Sequence, residues 1–230
     1  MEKRVILIGV GHVFDISQQI KDIIEYVKPD IIALELDDKR MQALLSPKFE
    51  KDVPLFYKLL GKVQENIAKK YGVKTGSEMM AGIQKARELG IPTICIDMDA
   101  QSVFVKLWKY MPLRKKISLI FGGFATLLFS KNRVEKEVEL FEKNADEYLF
   151  HFEKYFPNVK KILIDERNEY MASRLKVYLE EYPTIIAIVG EGHILGLKNM
   201  LQEHASLTLI HLTDLREGKW KEKILQTNPI

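Results

Sequence analysis

A single cysteine, Cys95, in a chain of 230 residues rules out an internal disulfide framework and any cysteine-built zinc cluster. Its Ile-Cys-Ile setting reads as a small buried hydrophobe, and a reducing cytoplasm fits it best. Charge of one sign is scarce as well. Lys+Arg 35 against Asp+Glu 32 leaves a formal charge of +3, with the signs interleaved, so nucleic acid is not expected as a partner. The most apolar stretch, Ile117 to Phe129, is about 13 residues where a bilayer needs about 20. The N-terminal apolar run passes into a glycine turn rather than a cleavage site, so no secretory signal is expected. Neither a Gly-Lys-Ser/Thr phosphate loop nor a Gly-x-Ser-x-Gly elbow is present, so neither nucleotide hydrolysis nor a serine hydrolase is supported. No linker or low-complexity tract divides the chain, and one domain over 1–230 is the expectation.

What the chain does have is one device used twice. Arg4 to Val10 is a β-branched run that delivers Gly9-Val10-Gly11-His12, with Asp15 and an amphipathic segment behind it. Thr184 to Val189 is a second such run, delivering Gly190-Glu191-Gly192-His193 ahead of Ile194, Leu197 and Leu201. Each unit reads strand, glycine turn, histidine, helix. Two histidines presented alike point to one shared site.

Between the units the pattern alternates. Asp15-Ile16-Ser17-Gln18 resembles a capping box, and Ile16, Ile20, Ile23, Ile24 and Val27 make a helical stripe ended by Lys28-Pro29. Ile31 to Leu34 is a continuous apolar strand of the kind buried on both faces of a parallel sheet. A short helix around Met41 to Leu45 follows, then a helix carrying Phe56, Leu59, Leu60, Val63 and Ile67, and a loop at Gly72 to Gly76. Ser77 is placed to cap a helix with Met80, Ile83 and Leu89 inward, Gly90 stops it, and Thr93 to Ile96 forms a strand. Residues 101–156 read as a helical insertion containing the apolar segment 117–129, which suits a lid, a homodimer arm or a membrane-surface contact. Pro157 starts another helix with Ile164, Asn168, Met171, Leu175 and Tyr178 on one stripe, so the amide of Asn168 must find partners there. Leu207 to Leu212 is the last strand, and the tail from Thr213 carries no structural signal. The fold class is therefore α/β, a mostly parallel sheet flanked by helices with an inserted helical hairpin.

Ligands of open parallel sheets bind outside the carboxyl ends of the strands. By that rule His12, Glu35, Asp37, Asp97, Asp99 and His193 leave the sheet at one edge, with Glu78 at the start of a nearby helix. Two imidazoles and a carboxylate can hold a divalent ion while leaving positions for water and substrate, and a further carboxylate, Glu78 or Asp99, can take the proton. His151, His204 and His211 show no companions and read as surface or core residues. A rival reading takes Gly9-Val10-Gly11 with Glu35 as a dinucleotide fingerprint, but Phe14 stands where a third small residue belongs and the second glycine-histidine unit goes unexplained.

These segments resemble the TraB family, which includes the pheromone-shutdown proteins and is related to GumN and the Tiki proteins. The resemblance lies in Gly9-Val10-Gly11-His12, Glu35-Leu36-Asp37, Gly76-Ser77-Glu78, Asp97-Met98-Asp99, Glu166-Arg167-Asn168 with Met171, and Gly190-Glu191-Gly192-His193. Met98 departs from it, standing where a basic residue is expected. The resemblance implies a metallohydrolase-like site with His12, Glu35 and His193 as ligands of a zinc-, manganese- or cobalt-type ion. Arg167 is then the carbonyl or oxyanion stabiliser, with Asn168 beside it. The expected activity is cleavage of a peptide or amide bond. The alternative is a non-catalytic protein that holds a peptide or small ligand in the same cleft. The expected location is cytoplasmic, with peripheral membrane contact through residues 117–129.

Overall fold

The computed structural model describes residues 2–11, 14–46, 76–110 and 157–227. His12, the helix expected around Phe56 to Ile67 and residues 111–156, including the apolar segment 117–129, lie outside the described residues. Five strands, β1 (Arg4–Val10), β2 (Ile31–Leu34), β3 (Thr93–Cys95), β4 (Thr184–Gly190) and β5 (Ser206–Ile210), form one sheet in the order β3-β2-β4-β1-β5. Every pairing is parallel.

The central strands β1, β2 and β4 are apolar along most of their length because both faces are covered, whereas the edge strands β3 and β5 are only partly buried. Side chains alternate across a strand. Ile6, Ile8, Val10, Ile32, Leu34, Ile186 and Ile188 therefore pack on α1 (Ser17–Val27) and α3 (Ser77–Leu89). Val5, Leu7, Ile31, Ala33, Ile185, Ala187 and Val189 meet the opposite layer. That layer holds α6 (Glu166–Tyr178) and α7 (Ile194–Leu201). Three elements occupy the outer edge of the carboxyl side or lead into α6. They are α2 (Asp38–Leu45), α4 (Ala100–Tyr110) and the short α5 (Pro157–Lys160).

Several expectations are corrected in detail. No capping box forms at α1: Asp15 accepts from the Ser17 amide at 3.2 Å, while the Gln18 amide turns to Asp22 at 2.8 Å. Gly76, in the left-handed region at φ 72°, precedes α3 in place of a Ser77 cap, and Met79 rather than Met80 is fully buried. A π turn, Lys161–Asp165, joins α5 to α6 and widens the helix by a residue, so Ile162 instead of Ile164 enters the core ahead of Asn168. The last strand ends at Ile210, and the tail folds as α8 (Leu212–Arg216) and α9 (Trp220–Thr227), which bury Leu215, Trp220 and Ile224 against the α1 layer. No helix among the described residues is long and apolar enough to cross a membrane.

The strand order places a crevice. From β1 the chain leaves to α1 on one face, and from the adjacent β4 it leaves to α7 on the other. Such a reversal is where open α/β sheets bind ligands. Register pairs Val10 with Gly190 at its floor, so the two glycine turns start side by side.

The close approach of α3 to the sheet rests on Gly82, where an added Cβ would lie 2.7 Å from Ile188 Cδ1. Gly82→Ala is expected to lower stability by about 1–3 kcal/mol through overpacking, despite the better helix propensity of alanine. Denaturant unfolding measures this; a stabilised variant would show that the layer yields.

Candidate functional site

At the carboxyl edge of the sheet, side chains from β2, β3, β4, α2 and α6 converge on one polar cluster. His193 ends a 3₁₀ turn, Glu191–His193, that follows β4 and buries the imidazole to 4% exposure. Its Nδ1 donates to Asn168 Oδ1 at 2.7 Å, since an amide oxygen can only accept. Asn168 is thus the buried amide expected on the α6 stripe, and its partner is the imidazole. Gly196 makes the contact possible, because a Cβ there would sit 2.1 Å from Asn168 Nδ2. With Nδ1 occupied, Nε2 faces Glu35 Oε1 at 3.4 Å.

Glu35 follows β2 and is held from three sides. Its Oε2 accepts the Gly190 amide at 2.5 Å, and its Oε1 meets both His193 and Arg167 Nη2. Burial opposes its charged form, yet His193, the Arg167 guanidinium and the Gly190 amide together hold its carboxyl well below the usual carboxylate range. Arg167 also grips Asp97, through Nε at 2.9 Å and Nη2 at 2.8 Å, and its Nη1 reaches the Leu163 carbonyl within the π turn at 3.1 Å. Burial works against its charge, but Glu35 and Asp97 outweigh that and raise its pKa.

The remaining expected residues are placed as follows. Glu78 is 1% exposed on the first turn of α3, where Ser77 Oγ donates to it at 3.2 Å. It lies one turn before Gly82 on the face that meets Leu34 and Ile188, which sets it towards the carboxyl ends of β2 and β4. Asp99 accepts from the Ser102 amide at 2.8 Å, capping α4, and pairs with Lys39 at 2.7 Å. Asp37 caps α2 through the Arg40 amide at 2.9 Å. Among the described residues no three His, Cys, Asp or Glu side chains are disposed to hold a metal ion together; His12, the other expected imidazole, lies outside them. Burial and the nearby Asp38 push the half-buried Cys95 thiol up to about 12, which disfavours its thiolate.

A family model described as TraB/PrgY/gumN family matches residues 2–206. The chain belongs to that family. It is also similar to an uncharacterised protein of Methanocaldococcus jannaschii, MJ1365, at 30% identity over 241 residues. That match covers 96% of this chain and 59% of the archaeal protein, so the chain spans about three fifths of its relative's length. In this TraB-family chain the glycines of the first turn serve the second. A Cβ on Gly9 would lie 2.1 Å from Glu191 Oε2, and one on Gly11 would lie 2.6 Å from Leu212 Cδ2. On their Cβ side these two glycines are thus packed against protein.

Two groups were missed by sequence reasoning. Arg40 looks like an exposed helix residue, but its spacing of three from the Asp37 cap turns it back over the site, where Nη2 meets Asp97 Oδ2 at 2.5 Å. His211 was expected to have no companion, because the last strand was carried through to Leu212. It sits instead at the exit of β5, with Nδ1 2.6 Å from Glu191 Oε1. Glu191 Oε2 accepts the Leu212 amide at 2.9 Å. The rule that gathered the other strand-exit residues would have found it.

The hydrogen bond that His211 Nδ1 donates to Glu191 is the main cause raising the His211 pKa, with burial opposing it. A raised folded value stabilises the protein fully below the unfolded imidazole pKa of about 6.5, and that contribution disappears as pH climbs through the folded value. Unfolding free energy is expected to decline across that window, and Glu191→Gln to flatten the decline. Equal slopes in both proteins would rule out this linkage.

Proposed function

We propose that this TraB-family chain is a metal-dependent hydrolase of the metallopeptidase type, acting on a peptide or amide bond, with His12, Glu35 and His193 as ligands. One observation carries the reading. Asn168 fixes the His193 imidazole so that Nε2 points at Glu35 Oε1 from 3.4 Å. Two acceptors held face to face in a buried crevice need a proton or a cation between them.

The donor set fits a divalent ion. An imidazole with its far nitrogen hydrogen-bonded to an oxygen, and a carboxylate steadied by a backbone amide, are the supports that metal ligands require. Among the described residues Glu35, Asp37 and Asp97 pair with Arg40 and Arg167, and Glu35 pairs with His193 as well. When bound, the ion would supply Lewis acidity and a more acidic water.

The chain's own groups complete the site. The Arg167 guanidinium, beside Glu35, is the positive charge that would face the charge developing on a carbonyl oxygen. Glu78, buried at the start of α3, is the carboxylate for the attacking water's proton, with Asp99 the other candidate. Asn168 keeps the imidazole oriented throughout.

Titration of the purified chain with Zn²⁺, Mn²⁺ and Co²⁺, followed by a peptide-library cleavage assay, tests the proposal. His12→Ala and His193→Ala are expected to lose metal with helicity unchanged, and Asn168→Ala to bind it about 10–100-fold more weakly. Normal metal binding in both histidine variants removes the hypothesis. Tight ligand retention without turnover under every metal favours the non-catalytic alternative, a binding protein that uses the same cleft.

A further inference from the structure

Beside the cleft the buried charges form an unbroken ladder that runs from Glu35 through Arg167, Asp97 and Arg40 to Asp37. Asp97 is its shared rung. Its Oδ1 accepts from Arg167 Nε at 2.9 Å, and its Oδ2 accepts from Arg167 Nη2 at 2.8 Å and Arg40 Nη2 at 2.5 Å. Arg167 Nη2 is divided in turn, since its other acceptor is Glu35 Oε1. Arg40 is seated by its own helix cap: Nε donates to Asp37 Oδ2 at 2.8 Å, while Asp37 Oδ1 accepts the Arg40 amide. The same Asp37 Oδ2 accepts the Ala100 amide at 3.1 Å, so the ladder ends at the first residue of α4.

We propose that Arg40 is a positioning residue of the cleft: by holding one oxygen of Asp97 it keeps Arg167 Nη2 on Glu35, beside His193. The functional part of this inference rests on the reading of Glu35 and His193 as cation ligands. The competition is simple. Asp97 Oδ2 accepts from both guanidinium groups, so Arg40 neutralises part of the charge that pulls Arg167 Nη2 away from its other acceptor, Glu35. Without the Arg40 charge, the full negative charge of Asp97 bears on Arg167 and draws its guanidinium away from Glu35, so the Nη2 contact with Glu35 weakens. The Glu35 carboxylate is then less neutralised, in a cluster one charge more negative.

The sign of the effect separates this role from a merely structural one. In the full chain, Arg40→Gln is expected to bind Mn²⁺ about tenfold more tightly, whereas a structural prop, once removed, would loosen the site and weaken binding. Arg40→Lys keeps the charge and is expected to stay within about threefold of the parent. Asp97→Asn takes the opposite direction: with the rung's charge gone both guanidinium groups bear on Glu35, and Mn²⁺ affinity is expected to fall about tenfold. Titration calorimetry reads the affinities, and the Arg167 Nε–Hε resonance reads the contact directly. That resonance is expected to move in Arg40→Gln and to return towards its parent position in Arg40→Lys. Affinity that is unchanged or lowered in folded Arg40→Gln overturns the proposal, as does an Arg167 resonance indifferent to it. If the parent chain binds no Mn²⁺, Zn²⁺ or Co²⁺, the cation reading falls, and the resonance alone then decides whether Arg40 positions Arg167. If Arg40→Gln does not fold, the Asp97→Asn affinity decides: a value equal to or above the parent overturns the proposal.

Discussion

The parallel ladder between β1 and β4 is the constraint on which the rest depends. Two runs separated by most of the chain pair residue for residue, from Arg4 with Thr184 to Val10 with Gly190. That register brings the two glycine turns level at the carboxyl edge, and the opposed departures of α1 and α7 open a crevice between them. A slip of one residue would turn every side chain of one strand to the wrong layer. Because both faces are packed with Ile, Leu and Val, such a slip is strongly disfavoured. The position of the site is thus set by hydrophobic packing well below it.

Above the ladder the interior changes character. Carboxylates, guanidinium groups and an imidazole replace aliphatic side chains, and each is tied to a partner from another element. Breaking a buried ion pair leaves a charge uncompensated at a cost of several kcal/mol, so the cluster stands or falls as a unit. Glycines make the room for it. Gly9 clears Glu191, Gly196 clears Asn168, and at Gly190 a Cβ would lie 3.3 Å from Glu35 Oε2. Turn flexibility explains these positions less well than clearance for particular polar atoms.

Much of the scaffold was legible in the sequence for a physical reason. Strands covered on both faces must be apolar along their length, so Arg4–Val10, Ile31–Leu34 and Thr184–Gly190 announce themselves, and the α1 stripe repeats with helical period. The insertion of β4 between β1 and β2 was not legible, because no local pattern records which strand a strand will pair with. The tail was misjudged because Leu215, Trp220 and Ile224 are too sparse among charged residues to form a conspicuous stripe. At the site, Glu35, Asn168, Arg167 and His193 were found from strand exits, the α6 stripe and the family resemblance, and the structure brings them together. Arg40 and the Glu191–His211 pair were overlooked, since their roles lie in contacts between elements rather than in spacing along one.

The strand order also has a bearing on how the molecule is made. Since β4 lies between β1 and β2, those two early strands share no hydrogen bonds and have a gap between them until the last third of the polypeptide arrives. A nascent chain that has emerged only as far as β3 therefore holds the β2–β3 pair with an open edge and β1 with neither of its neighbours, a state prone to mispairing. Arrival of β4 joins β1 to the β2–β3 pair and in the same event carries the Gly190 amide and the His193 imidazole to Glu35. The first four strands and the contacts around Glu35 thus assemble in one late step of synthesis, before β5 closes the edge of β1.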